Sequence, residues 1–442
     1  MSYLTQLQSQ RIIVLGLGVS GLSTVRFLQS KNINFKVVDS RPNPAGSEEL
    51  ALQWPHLDTY FGDLDGADLA NCDLIVISPG IALATPQVQA ALAAEVEVIG
   101  DIELFARLNT KPVVAVTGSN GKSTVVTLAA EVLEAAGKKV ALAGNIGTPV
   151  LDVIDENIDI FVLELSSFQL ETTSSLTPVS ACILNLCEDH MDRYTGMESY
   201  CAAKQRIYVG AQLAVFNVDD VLTHPLNQQE SVSFGAYDAD FHLSEVNTES
   251  FFSAHSQVVL PVSALRAVGK HNQLNALAVM ALLSPFTLSS DIFHKAFQSF
   301  QGLEHRCQFV AEQDGVEFFN DSKATNVGAT ISSIEGLTRK TGRLILIAGG
   351  EGKGADFSPL TQYLNQYVAE LICFGKDAKQ IAALKDGAHL VTCMAEAVSL
   401  AKSLATHHDR VLLAPACASL DMYPNYMARG EEFVNCVTGA LR

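Results

Sequence analysis

Residues Thr117-Gly118-Ser119-Asn120-Gly121-Lys122-Ser123-Thr124 combine small turn formers, a cation and hydroxyls in one short stretch. Such a set suits a polyphosphate. Loop N–H groups face its oxygens, Lys122 adds a point charge, and Ser123 offers a hydroxyl to Mg²⁺. Val116 stands where the first glycine of the full triphosphate-loop pattern belongs, so the stretch alone can equally be a turn. A second glycine set, Gly16-Leu17-Gly18-Val19-Ser20-Gly21, is followed by Asp39 at the end of the next apolar run. That pattern accepts a diphosphate, and with its acidic residue it is also the fingerprint of a dinucleotide site.

Glu164 closes the apolar run Phe161-Val162-Leu163, a place where ATP-using folds keep a magnesium ligand. Glu188-Asp189-His190-Met191-Asp192-Arg193 follows another apolar run and is open to metal binding, substrate binding or plain solvation. Lys204 by itself reads as an ordinary surface lysine. His271-Asn272-Gln273-Leu274-Asn275 opens a helix, where it can face a nucleotide base or cap the helix. Nearer the C-terminus, Asn320-Asp321-Ser322-Lys323-Ala324-Thr325-Asn326 and Gly349-Gly350-Glu351-Gly352-Lys353-Gly354 put cations and hydroxyls after apolar runs. Two such loops suit a substrate that bears a carboxylate.

Positioning these groups requires strands that end beside them. Strands are expected at Arg11–Leu15, Phe35–Val38 and Asp73–Ile77, then at Pro112–Val116, Val140–Ala143, Ile160–Glu164 and Ser180–Asn185. A last set is expected at Glu317–Asn320, Leu344–Ala348, Glu370–Phe374 and Val411–Ala414, with helices between, Thr124–Ala136 and His271–Leu283 among them. The alternation predicts an α/β protein of three Rossmann-like domains with mainly parallel sheets: residues 1–99, a P-loop-type ATPase at 100–303, and 304–442. Leu213 to Val262 is less regular and predicts a small antiparallel addition. The loops at Gly16–Gly21, Asp39–Arg41 and Ser78–Gly80 are expected to line one crevice.

The chain has 442 residues, too many for one ordinary core, and its 48% hydrophobic against 17% charged content describes a packed globular protein. A formal charge of −19 leaves no broad phosphate-neutralising face, which argues against nucleic acid as a partner. Small anionic substrates remain open, held by glycine loops, a few cations and metal. Nine cysteines without a Cys-x-x-Cys pair read as reduced packing residues. The polar Met1–Gln10 stretch is unlike a secretion leader, and no apolar run is long enough to span a bilayer. A soluble, cytoplasmic monomer without a membrane partner is the expectation.

Taken together, Thr117–Thr124, Glu164–Leu170, Asp189–Arg193 and His271–Asn275 resemble the Mur ligase family, ATP-dependent amide-forming enzymes of peptidoglycan synthesis. Asp321–Asn326 and Ala416-Cys417-Ala418-Ser419-Leu420-Asp421 look like the member that joins D-glutamate to UDP-N-acetylmuramoyl-L-alanine. The resemblance implies that the N-terminal crevice holds UDP and not NAD. Ser20, Asp39, Ser40, Arg41, Ser78 and Gly80 would contact it, with Asn145 and His190 nearer the muramoyl-alanine end. Gly118 to Thr124, Asn275, Arg306, Asp321 and Lys323 would contact ATP. Two Mg²⁺ ions are implied, one at Ser123 and Glu164 and one at His190 and Lys204, the lysine being carbamylated. Lys122, Glu164, His190 and Lys204 would form the catalytic set, and Thr325, Lys353, Ser419 and Tyr426 would receive D-glutamate. The chain departs from the family pattern at Glu351, Ala414 and Tyr426, where Asp, Ser and Phe are expected. Other readings are a sibling ligase or folylpolyglutamate synthase, an NAD-dependent dehydrogenase, and a silent nucleotide-sensing scaffold.

Overall fold

Apolar runs of four to six residues bounded by turn residues become strands here, and amphipathic runs between them become helices. The computed structural model describes residues 3–154, 157–267, 269–338 and 341–439. Its strands form three sheets. The first holds β1 (Ile12–Leu15), β2 (Phe35–Asp39), β3 (Asp58–Phe61), β4 (Leu74–Ile77) and β5 (Glu97–Gly100), all parallel, in the order β3-β2-β1-β4-β5.

The second sheet contains β6 (Val113–Thr117), β7 (Val140–Gly144), β8 (Ile160–Glu164), β9 (Ser180–Ile183), β10 (Leu213–Asn217), β11 (Ser231–Phe234), β12 (Phe241–Val246), β13 (Glu249–Ala254) and β14 (Gln257–Pro261). Their order is β14-β13-β12-β11-β10-β9-β6-β8-β7. The antiparallel addition expected after Leu213 is confined to β12, β13 and β14, since β10 and β11 run parallel to their neighbours. The third sheet comprises β15 (Gln308–Gln313), β16 (Val316–Asn320), β17 (Leu344–Ala348), β18 (Val368–Cys373), β19 (His389–Leu390) and β20 (Arg410–Leu413), ordered β15-β16-β20-β17-β18-β19. Only β15 pairs antiparallel there. The central strands are buried on both faces, with β6, β8, β17 and β20 all core, as parallel strands covered by helices must be.

The chain divides into two compact units. One is Met1–Asn185, Ser199–Pro261 and Ala276–Ala296, and carries the first two sheets. The other is Leu186–Glu198, Val262–Asn275 and Phe297–Arg442, and carries the third. The loop segments that follow β9 and β14 thus pack with the third sheet, although their sequence neighbours belong to the second.

Within the first unit the two sheets share a junction at the helix Asp101–Ala106, which packs on helices Val19–Ser30 and Ser167–Glu171. Glu103 is its anchor. Only 1% exposed, it accepts Ser174 N at 2.7 Å, Ser175 N at 2.9 Å and Ser175 Oγ at 2.8 Å, and pairs with Arg107 at 2.8 Å. Burial pushes the Glu103 carboxyl up, but these four donors outweigh it and bring it down to about 2. Because that value lies below the ordinary 4.5, the stabilisation is complete above about pH 4.5 and fades as pH falls towards about 2. About 3 kcal/mol is at stake. Urea unfolding at neutral pH is expected to show Glu103→Gln destabilised by about 2–3 kcal/mol, with a flatter stability profile below pH 4.5 than the parent.

Candidate active site

In the first sheet β1 lies between β2 and β4, the point where strand order reverses and where parallel sheets open a crevice. The turn after β1 is tight. Ser78 Oγ donates to Gly16 O at 2.7 Å, and a Cβ on Gly21 would lie 1.8 Å from that same carbonyl oxygen. Only glycine fits. The expected crevice is present as a cleft of about 600 Å³ lined by Gly16, Ser20, Asp39, Ser40, Arg41, Ser78 and Gly80. Its other wall comes from the second sheet, through Gly144, Asn145 and Gln169.

Asp39 is 2% exposed and already committed to the chain. Its oxygens accept Leu17 N at 2.7 Å, Arg41 N at 2.9 Å, Arg41 Nε at 2.8 Å and Arg41 Nη2 at 2.7 Å. Burial raises its carboxyl, yet the guanidinium and backbone donors hold it below the usual carboxylate range. The expectation that Asp39 itself accepts hydrogen bonds from a sugar or base is therefore modified: it fixes Arg41, and Arg41, half-exposed, faces the cleft.

The phosphate loop leaves β6 beside the end of β8, because Val116 is paired with Glu164. Gly121, at φ +85°, turns the chain so that the helix opens at Lys122, two residues before the expected start. Lys122 and Ser123 thus form the first turn of a 14-residue helix. Ser123 Oγ donates to Glu164 Oε2 at 2.7 Å, and Asn145 Nδ2 donates to Glu164 Oε1 at 2.8 Å. Lys122 Nζ folds back onto Gly118 O and Ser119 O at 2.8 and 2.9 Å.

Lys204 is no surface lysine. It is 2% exposed, and its Nζ donates to Gly118 O at 2.9 Å and Thr117 Oγ1 at 3.2 Å, over the Tyr200 ring. Its helix, Met197–Gln205, turns this residue inward against the loop, a fact that local sequence does not carry. Sequence reading also missed Asn185 and Tyr200. Asn185 Oδ1 accepts Asn120 N at 2.8 Å and its Nδ2 donates to Asn120 O at 3.1 Å, while Tyr200 hydroxyl meets Ser119 Oγ at 3.0 Å. The position of Asn185 just past β9, next to β6, was the available signal.

In the second unit, β20 sits between β16 and β17, so the loops after all three emerge together. Two backbone bonds, Glu351 N to Ala418 O at 3.0 Å and Ala418 N to Glu351 O at 2.9 Å, tie the Lys353 loop to the Ser419 loop. Thr325, Asn326 and Lys353 line a small pocket with Glu188, Asp189 and His190. There Lys353 Nζ lies 3.4 Å from Asp189 Oδ1. Lys323 Nζ stands 4.3 Å from the Tyr426 ring centre. Asp321 is buried; burial raises its carboxyl to about 6 against a hydrogen bond from Ser333 and the nearby Arg306 charge. Arg429, 1% exposed and unforeseen, binds Ser322 O at 2.8 Å and the carbonyls of Cys417 and Ala418 at 3.1 and 3.2 Å, clamping two of the loops. Asn275 lies on the helix Lys270–Leu282. Of the departures, Glu351 reaches Lys376 at 2.6 Å and Ala414 is fully buried.

A dinucleotide-type loop that lines a cleft, and a Gly-Lys-Ser loop whose Ser123 meets the strand-end carboxylate of Glu164, are features of a nucleotide-using α/β enzyme. Models of the Mur ligase MurD-like N-terminal domain, the Mur ligase middle domain and the Mur ligase glutamate ligase domain match residues 10–100, 116–283 and 305–417. The UDP-N-acetylmuramoylalanine–D-glutamate ligase of Pseudoalteromonas translucida is 56% identical over 99% of both chains. That of Shewanella oneidensis is 50% identical over 95% of this chain and 96% of its own. The fold is also that of MurF ligase from Thermotoga maritima, solved with ADP, at a TM-score of 0.61 and 16% identity over 99% of this chain and 96% of that one. The chain belongs to the Mur ligase family of ATP-dependent, amide-forming ligases of peptidoglycan synthesis. The dehydrogenase reading of Gly16–Gly21 is thereby set aside. No helix among the described residues is long and apolar enough to cross a membrane.

Gly21→Ala forces a Cβ into Gly16 O, so it should push the turn after β1 apart. Calorimetric titration is expected to show at least about tenfold weaker uridine-nucleotide binding, with ADP binding unchanged within about twofold.

Proposed function

We propose that the chain joins D-glutamate to UDP-N-acetylmuramoyl-L-alanine, converting ATP to ADP and phosphate. The observation that carries this reading is the continuity of one cleft. It begins at Gly16–Gly21 and ends at Asn145, whose amide rests on Glu164 beside Ser123 of the phosphate loop. A substrate with a diphosphate at one end and a carboxylate at the other suits such a cleft. The names carried by the two relatives support the choice of D-glutamate.

A carboxylate is a poor electrophile, so its oxygen must first attack the γ-phosphate of ATP, giving an acyl phosphate and ADP. Gly118 to Thr124 hold the phosphates by backbone N–H groups, and Lys122 releases its own loop carbonyls to meet the charge that develops. Asn275, Arg306, Asp321 and Lys323 serve the nucleoside and outer phosphates. Ser20, Ser40, Arg41, Ser78 and Gly80 anchor UDP, with Asp39 acting through Arg41. The deprotonated amine of D-glutamate then attacks the acyl carbon, and the tetrahedral intermediate expels phosphate. Thr325, Lys353, Ser419 and Tyr426 receive the amino acid. Lys353 exchanges the Asp189 carboxylate for that of the substrate, and His190 orients the muramoyl-alanine end.

The Ser123 hydroxyl and Glu164 carboxylate, 2.7 Å apart, are the hard oxygen donors that Mg²⁺ prefers, so they fit one such ion. When bound, it supplies Lewis-acid neutralisation of the phosphate charge. A second ion held by Lys204 requires a different lysine. As an ammonium, Lys204 donates to Gly118 O and Thr117 Oγ1 and repels a cation. As a carbamate it offers two anionic oxygens, the hard donors that Mg²⁺ prefers.

ADP release is expected to depend on D-glutamate and to fail with L-glutamate, L-lysine or meso-diaminopimelate. Preference for another amino acid would move the chain to a sibling activity. Lys122→Ala should lower kcat by about 10²–10³. Intact-mass spectra under CO₂ should show one added CO₂ that Lys204→Arg abolishes; an unmodified parent would rule out the carbamate.

A further inference from the structure

Beside the Glu103 anchor, the first two sheets are fastened a second time, next to the cleft, by residues with no part in the scheme above. The stretch Gly144–Pro149 supplies a wall of the cleft from the second sheet, through Gly144, Asn145, Gly147 and Pro149. It is held at both ends. At its start, Asn145 N donates to Glu164 O and Asn145 Nδ2 to Glu164 Oε1, each at 2.8 Å. At its other end the chain enters the short 3₁₀ turn Val150–Val153, where Asp152 N donates to Pro149 O at 3.0 Å.

Val150 and Leu151 are buried, and their turn packs on the helices Val19–Ser30 and Asp101–Ala106. From it Asp152 reaches the helix of the first sheet. Its Oδ1 accepts Ser23 Oγ at 2.9 Å, and its Oδ2 meets Arg26 Nη1 at 3.3 Å. Arg26 is itself held by Glu49, through Nε at 2.8 Å and Nη2 at 2.9 Å. Ser20, Ser23 and Arg26 succeed one another at intervals of three along Val19–Ser30, so they neighbour one another on the helix surface. Ser20 lines the cleft, and the two residues behind it grip the element that carries the opposite wall.

The two grips differ in weight. The Arg26 and Asp152 side chains are 40% and 21% exposed, so water and salt screen their attraction. Ser23 is 1% exposed, and its hydroxyl donates to a charged acceptor. The loss of such a bond changes an equilibrium constant by about one to two powers of ten.

The glycine loop Gly16–Gly21 leads into the helix that bears Ser23, and Asn145 opens the stretch that ends at Asp152. Resting on the reading that the cleft holds UDP, we infer that Asp152, gripped by Ser23, is a positioning residue that sets the separation of the two cleft walls, so that one substrate meets Gly16–Gly21 and Asn145 together. A ligand that touches one wall gains nothing from this latch. UDP is anchored by the first sheet and ADP by the phosphate loop, so neither depends on it. The whole UDP-N-acetylmuramoyl-L-alanine does. Without the latch that substrate must order Gly144–Pro149 itself, and its affinity falls by what the ordering costs.

Calorimetric titration of the full chain with UDP, ADP and UDP-N-acetylmuramoyl-L-alanine tests this. In Asp152→Ala and in Ser23→Ala the whole substrate is expected to bind about tenfold weaker, with UDP and ADP within about twofold of the parent. Asp152→Asn, whose amide oxygen still accepts Ser23 Oγ, should recover to within about threefold of the parent. The double alanine variant should be no more than about threefold worse than either single, because both remove the same contact. In turnover, KM for the UDP substrate should rise while kcat stays within about twofold, since saturating substrate restores the wall. A loss shared by UDP or ADP, or a whole substrate bound as tightly as by the parent, overturns the inference alone. A parent that binds no UDP overturns the UDP reading and the inference with it. Should Asp152→Ala fail to fold, Ser23→Ala decides, because it deletes one hydroxyl and leaves every charge in place.

Discussion

In a parallel pair both strands leave the sheet at the same edge, so the residue ending one strand stands beside the loop that follows its neighbour. β6 and β8 pair with Val116 opposite Glu164, and β7 pairs with β8 so that Gly144 lies opposite Glu164; these two registers bring Glu164 to Ser123 and Asn145. A slip of one residue would turn Glu164 to the other face of the sheet and leave a buried carboxylate without its hydroxyl and amide donors. The same rule operates in the other two sheets. β1 with β4 opens the glycine-loop cleft, and β16, β20 and β17 deliver the Thr325, Ser419 and Lys353 loops from one edge.

Around these edges the chain buries charge and satisfies it with backbone. Arg429 binds three carbonyl groups of the loops it clamps, and Lys204 binds a carbonyl and a hydroxyl of the phosphate loop. A buried cation held by neutral oxygens is costly to desolvate, so it fixes loop geometry more than it adds stability. The phosphate loop is further pinned by Asn185 and Tyr200, which fix its backbone. Asp39 and Glu103 follow the opposite pattern, as carboxylates saturated by donors of their own chain. One presents Arg41 to the cleft and the other locks the junction between the first two sheets.

Much of this was legible beforehand, for a definite reason. Glycine loops at the ends of apolar runs report local backbone needs, and those are written in consecutive residues. The expected strands fell within a few residues of their places, while β3, β5, β15 and β19 were not foreseen, and the three N-terminal loops do line one cleft. Where reading failed, the cause was non-local. Lys204 looked exposed because a helix face is chosen by what packs on it, and Leu186–Glu198 joined the second unit although its sequence continues the first.

Composition, apolar periodicity and the glycine loops by themselves determined an α/β chain of three parallel-rich sheets with two phosphate-type turns. They sufficed because strand burial and positive-φ turns restrict which residues can stand at each place. Tertiary structure decided which side chains meet: Ser123 with Glu164, Asn145 with Glu164, Asp39 with Arg41, and Arg429 with loops separated from it by up to 107 residues of chain. Register, helix facing and burial are properties of the folded whole, because each depends on surfaces that come together only when distant segments pack.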